Sequence, residues 1–292
     1  MTWRLSVEHV TTYAYLGDVF ASYNEARLTP ARERQLVLDH RVQVNPRVAI
    51  MRYLDYWGSE VCAFDVTEPH QTLVVTGRSL VETGASRRLP TGGNATWERL
   101  NADVVRDEFH EFLAGSEYVT CDDPRLIEAA RELAVDRPTV VDPSEYVTPA
   151  AVVEAACEWT RAHLTYEPGA TDVSTTAGGA LDLGRGVCQD FVHVALALLR
   201  ACGIPARYAS GYLHPHEEAA IGDTVTGQSH AWLEAWLGDW FPVDPTSGVD
   251  VGERHVLVAR GRDYGDVAPV KGVFHGPPDL AVDVRVSIAR VA

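Results

Sequence analysis

A glycine-flanked cysteine opening a long apolar run is the feature that most restricts how this chain can fold. Residues 183–213 read LGRGVCQDFVHVALALLRACGIPARYASGYL. Gly184 and Gly186 disfavour helix ahead of Cys188, whereas Val192, Ala195, Leu196, Leu199 and Cys202 mark one helix face from there on. Gly203 stands where a helix closes and Pro205 follows two residues later, so the helix starts at Cys188 and stops after one apolar stretch. At a helix N-terminus, free N–H groups and the positive end of the dipole favour a thiolate and can bind an oxyanion, here through the Cys188 backbone. Gly186 would let a substrate backbone approach closely, and the polar Gln189 beside the cysteine is a second candidate substrate contact. Asp190, in the first turn, is most simply a favourable charge at the helix N-terminus. His193 lies about 140° around the helix from Cys188 and is expected to pack rather than to react.

A nucleophilic cysteine needs a base and a group that orients the base. Of eleven histidines, His230 lies in the segment suited to this, SHAWLEAWLGDWFPVDPT at 229–246. Strict alternation places His230, Trp232, Glu234 and Trp236 on one strand face and Ala231, Leu233, Ala235 and Leu237 on the other. A turn at Gly238 and Asp239 then sends a second short strand towards Asp244. With a two-residue loop, Asp244 opposes Leu233 and points away from His230. With a three-residue loop of Leu237 to Asp239, Trp236 opposes Trp240, and Asp244 becomes a same-face neighbour of His230. A bulge near Pro242 would also shift the faces. A triad requires one or the other. Trp232 is a candidate cleft wall or substrate contact, Glu234 a hydrogen-bonded strand residue, and the His214–His216 pair lacks a third metal ligand at telling spacing.

The chain has 292 residues, 46% apolar and 23% charged, the size of two ordinary globular domains. Residues 3–81 hold several short strand-like runs broken by Gly17, Pro30, Pro46, Gly58 and Pro69, the pattern of a β-sandwich. Arg87 to Thr96, with Pro90, Gly92 and Gly93, is the best boundary. Helical periods follow at Pro124 to Leu133 and Pro149 to His163, and the chain ends in the alternating LAVDVRVSIARV. Because a terminal strand must pair somewhere, residues 279–292 are expected to return to a β-rich N-terminal domain of residues 1–95, leaving 96–278 as the second domain. The fold class is therefore α+β, a β-sandwich-like domain beside a cysteine helix packed on an antiparallel sheet. A net charge of −16 spread along the chain excludes phosphate backbones as partners and mildly favours basic peptides or amines. Glu8 and His9 interrupt any signal peptide and no apolar run is long enough for a membrane span, so the expected location is the cytoplasm. Five widely spaced cysteines with no C-x-x-C pair suggest neither disulfides nor zinc.

The ordered motifs GVCQDFVHVALALLRACGIPARYASGYL, SHAWLEAW and WFPVDPT resemble the bacterial transglutaminase-like superfamily, which shares the papain-like cysteine fold. SYNEARLTP, DYWGSEVCAF and PHQTLVV are similar to the β-rich N-terminal region attached to this bacterial group. The resemblance implies Cys188 as nucleophile, His230 as general base and acid, and Asp244 as the group orienting the imidazole, with no cofactor. Gln189 stands where animal transglutaminases carry tryptophan, and the nearest upstream tryptophan, Trp159, lies 29 residues before Cys188, which leaves the second oxyanion donor open between Tyr166 and a backbone N–H. The expected activity is cysteine-dependent amide-bond hydrolysis or acyl transfer through a thioester, peptidase-like, on a peptide or protein substrate. True glutamine–amine transfer and a catalytically silent peptide-binding module are the alternatives. The resemblance also implies an ATP-grasp-type peptide ligase pathway as a partner.

Overall fold

In a computed structural model, residues 2–90, 96–134, 147–227 and 229–292 are described. The N-terminal part is β1 (Arg4–Val19), β2 (Ala21–Ala26), β3 (Gln35–Asn45), β4 (Met51–Leu54), β5 (Glu60–Val66) and β6 (His70–Thr83). The second part contains α1 (Trp97–Leu100), α2 (Asp103–Glu108), α3 (Pro124–Ala134), α4 (Pro149–His163), β7 (Thr165–Tyr166), α5 (Ala177–Leu183), β8 (Arg185–Gly186) and α6 (Cys188–Ala201). It continues through β9 (Ala206–Leu213), β10 (Thr224–Gly227), β11 (His230–Trp236), β12 (Trp240–Val243), β13 (His255–Gly261) and α7 (Tyr264–Val267), and the chain closes with β14 (Val270–His275) and β15 (Asp279–Arg290).

Two sheets, ordered β10-β15-β1-β6-β3 and β14-β2-β5-β4, face each other across Phe64, Val66, Leu73 and Val75. The sandwich draws on both chain ends because β15 pairs along β1 from Leu5 to Tyr15. The crossing back begins before residue 279: β14 already pairs with β2, and β10, far inside 96–278, pairs with β15. The proposed linker from Arg87 to Thr96 lies partly outside the described residues. β1 runs on past Gly17, because a 16-residue strand spans two bodies. Tyr15 at one end packs on the small sheet, while Leu5 and Val7 at the other end, on the same face, pack against the second part. Gly77, at the middle of β6, allows this crossing: a Cβ there would stand 2.9 Å from the Leu28 Cβ.

The second part is built round α6, whose residues from Gln189 to Arg200 are all buried. α3, α4 and α5 lie against it, and the sheet β12-β11-β9-β13 covers another side. Its start is fixed by Asp190, whose Oδ2 accepts the Val187 N–H at 2.7 Å. Its end is a Schellman turn, in which Gly203 (φ 77°) donates to Arg200 O and Ile204 to Leu199 O, both at 2.9 Å. Glu234, on the β11 face opposite α6, is buried between Arg207 (2.6 Å) and Arg260 (2.7 Å), which assigns it to holding the sheet. No helix among the described residues is long and apolar enough to cross a membrane.

Candidate active site

β11 and β12 settle the face on which Asp244 stands. The ladder pairs Leu233 with Val243, Glu234 with Pro242, Ala235 with Phe241 and Trp236 with Trp240, without a bulge. This is the three-residue loop, with Leu237 N–H donating to Asp239 O across it, and Asp244 falls on the face of His230. His230 Nε2 lies 2.9 Å from Asp244 Oδ2. Asp244 is fully buried and is held in turn by the Ser247 hydroxyl (2.6 Å), the Thr246 N–H (2.8 Å) and the Ser247 N–H (3.3 Å). Ser247 was not singled out in the sequence reading, although an Asp followed by Pro-Thr-Ser-Gly is the pattern of a turn closed on its own carboxylate.

Cys188 lines the same cleft as His230 and, together with Asp244, favours the protonated imidazole. Burial pulls the His230 pKa down, but the hydrogen bonds and charges of Asp244 and Cys188 outweigh it and push it up to about 10. Burial raises Asp244, and the His230 contact with the Ser247 and Thr246 donors more than reverses this, to about 2. The pair therefore stands as imidazolium and carboxylate through the neutral range.

A cleft of about 720 Å³ opens in front of this group. Cys188, Gln189, His230 and Tyr166 line it, and Gln189 Nε2 donates to Val173 O at 3.2 Å. Tyr166 pairs across β7–β8 with Gly186, two residues before the cysteine. Its phenol pKa is raised by burial and by the charges of Cys188 and Asp244.

Two residues expected as substrate contacts stand outside this lining. Trp232 is buried behind His230, ring centroids 6.3 Å apart, and lies outside the cleft. Gly186 is buried and does not line the cleft either; a Cβ there would stand 2.5 Å from Asp190 Oδ2 and 2.7 Å from its Cγ. The glycine makes room for the carboxylate that clamps Val187 N–H and the Thr171 hydroxyl (2.6 Å) at the helix start. Gly186→Ala is expected to cost about 2 kcal/mol in urea unfolding through this overpacking, and much less in an Asp190→Gly background, which also removes the Asp190 Cβ 2.7 Å away. Simple additivity of the two changes would show that Gly186 serves something else.

His255, also missed from the sequence, is buried beside the pair, and His230, Asp244 and His255 each offer a donor atom within 4.8 Å of the others. The Gly252 N–H donates into His255 Nδ1 at 3.2 Å, so Nε2 carries the ring proton and has no lone pair for a metal. Burial, then the charge on His230, lowers its pKa to about 3 and keeps it neutral. His193 packs between Tyr118 and Tyr208 and accepts the Tyr264 N–H at 3.3 Å, away from the cleft. His214 and His216 stand edge to face, and His216 faces Asp223 at 3.6 Å; among the described residues they belong to no group of three donors that could hold a metal. All five cysteines are free.

Comparison with known proteins identifies the family and the fold. The profile of the Transglutaminase-like superfamily matches residues 141–245, and that of the Bacterial transglutaminase-like N-terminal region matches residues 5–82. An uncharacterised protein of Mycobacterium leprae is 43% identical over 99% of this chain and 100% of its own length. A protein-glutamine gamma-glutamyltransferase of Pseudomonas aeruginosa is 34% identical over 86 residues, 28% of this chain and 13% of that protein. Among solved structures, a candidate cysteine protease from Cytophaga hutchinsonii has the same fold with a TM-score of 0.73 and 22% identity, covering 98% of this chain and 90% of that one. Both profiles are matched in order and the Mycobacterium leprae relative runs the whole length, so the chain belongs to the transglutaminase-like superfamily and carries its bacterial N-terminal region.

Proposed function

We propose that this protein hydrolyses amide bonds in a peptide or protein through a Cys188 thioester, as a peptidase-like cysteine hydrolase. The observation that carries the reading is a sulfur at a helix N-terminus that lines one cleft with an imidazole held by a buried, hydrogen-bonded carboxylate. In this reading the Cys188 thiolate attacks the carbonyl carbon, and the oxyanion that forms is met by the Cys188 N–H and the Tyr166 hydroxyl. As the C–N bond breaks, His230 gives its proton to the departing amine, which leaves a thioester and a neutral imidazole. Water then attacks the thioester carbon, His230 takes the water's proton, and the acid leaves as the thiolate returns. Asp244 keeps the ring oriented and its charge balanced throughout.

Amine transfer is the second reading, favoured by the local likeness to the Pseudomonas aeruginosa gamma-glutamyltransferase; there a primary amine replaces water in the last step. The two separate in one experiment. The protein and a Cys188→Ala variant are incubated with a proteome-derived peptide pool and a biotin-tagged primary amine, and products are read by mass spectrometry. Cys188-dependent new peptide termini are expected. Cys188-dependent biotin on glutamine would install amine transfer instead, and the absence of any Cys188-dependent product would retire both in favour of a silent peptide-binding module.

A further inference from the structure

Part of the lining of the Cys188 cleft belongs to the sandwich. In the long sheet, Thr11 pairs with Val284 and Tyr13 with Val282, so these four side chains share one face, and all four line the cleft. The same face of β15 continues into Val286 and Ile288, which are fully buried against the second part. Val284 and Val282 remain 42% and 49% exposed. An apolar stripe thus extends past the area that the protein covers, and it does so only along the cleft; the alternate residues Asp283 and Arg285 point to the other face and pair with each other at 2.8 Å.

The rest of the lining has the same chemistry. Among the described residues, no Asp, Glu, Lys or Arg side chain lines the cleft, in a chain that has 41 acidic and 25 basic residues. Apart from His230 and Cys188 of the site itself, the polar groups it presents are neutral hydrogen-bonding ones, such as Thr11, Ser210 and Thr226, with His9 tied to Tyr212 and Thr11 at 3.0 Å each. A charged substrate side chain would lose its hydration there without gaining a partner, whereas an aliphatic or aromatic one would cover Val282 and Val284. The −16 net charge acts at long range, and the walls in contact with substrate do not carry it.

We infer that Val282 and Val284, supplied by the C-terminal strand of the sandwich, are specificity-determining residues that select peptides with uncharged, apolar side chains next to the attacked amide. The inference rests on the cysteine-hydrolase reading, and peptidyl acyloxymethyl ketones test it without requiring turnover, since the Cys188 sulfur displaces their carboxylate leaving group. Labelling of the whole protein by probes bearing leucine, lysine or aspartate beside the ketone is compared with labelling by iodoacetamide, which has no side chain to recognise. The leucine probe is expected to label at least tenfold faster than the other two. Val284→Asp and Val282→Asp are expected to lower the ratio of leucine-probe to iodoacetamide labelling roughly tenfold, and Val284→Leu to retain it. Equal labelling by all three probes, preference for lysine, or a ratio unmoved by both Asp variants overturns the specificity inference alone. If iodoacetamide itself does not label Cys188 selectively in the unaltered protein, the underlying reading fails with it.

Discussion

At pH 6, iodoacetamide is expected to modify Cys188 at least tenfold faster than any of the other four cysteines, and His230→Ala is expected to remove that advantage. An ordinary thiol is almost wholly protonated at this pH, and the thiolate is the species that reacts. His230 keeps its proton up to about pH 10 because Asp244 and Cys188 outweigh its burial, so the sulfur faces a cation across the neutral range. Cys62, Cys157 and Cys202 are buried, and burial raises the thiol pKa of Cys62, Cys121 and Cys157, that of Cys157 to about 12. Peptide mass spectrometry resolves the five sites. A Cys188 rate that is ordinary at pH 6, and indifferent to residue 230, would dismiss the proposed chemistry.

Asp244→Asn is expected to lower Cys188-dependent turnover by about 10²- to 10⁴-fold while leaving the fold in place, because an amide cannot hold the imidazolium that forms and favours the wrong tautomer. The same change should cost about 3 kcal/mol of stability in a defined pH window, since it leaves one member of a buried pair unpartnered. The raised pKa of His230 contributes stability that is fully present below its unfolded value near 6.5 and is lost as pH rises through about 10. The lowered pKa of Asp244 contributes stability that is present above about 3.8 and is lost as pH falls through about 2. Both contributions are complete only between about pH 4 and 6.5. Urea melts of the two proteins should differ most there and converge towards pH 10. A difference that is flat or grows with pH would mean that the carboxylate matters for packing alone.

The parts of the site that could be read from the sequence are those set by local rules. Gly184, Gly203 and Pro205 bracket a helix whose apolar period cannot be satisfied otherwise, and Cys188 falls at its start. Alternation from His230 to Trp236 fixed which side chains share a face. The register of the hairpin was narrowed to two solutions, and the loop from Leu237 to Asp239 is the one observed. Gly186 and Trp232 stand outside the cleft lining, which composition cannot report because it does not separate a residue that lines a cleft from one that makes room for a neighbour. Only the approach of Asp190 to within 2.5 Å of a Cβ at 186 distinguishes them. Ser247 and His255 escaped notice for a related reason. Their importance lies in contacts to Asp244 and His230 across turns and between strands, and no periodicity reports such contacts.

The chain's own order of residues determined the reactive helix, the histidine strand, the aspartate's face within two alternatives, and the terminal strand's need for a partner. Each follows from backbone sterics, hydrogen-bond satisfaction and the burial of one face, which act over a few residues. Tertiary structure alone decided what else lines the cleft of the cysteine. β15 pairs with β1 some 270 residues away in sequence, and the cost of closing so long a loop is met by burying Val286 and Ile288 rather than by any local preference. That pairing places Val282 and Val284 at the cleft, so the candidate site is written locally, and part of the cleft around it is assembled from strands far apart in the chain.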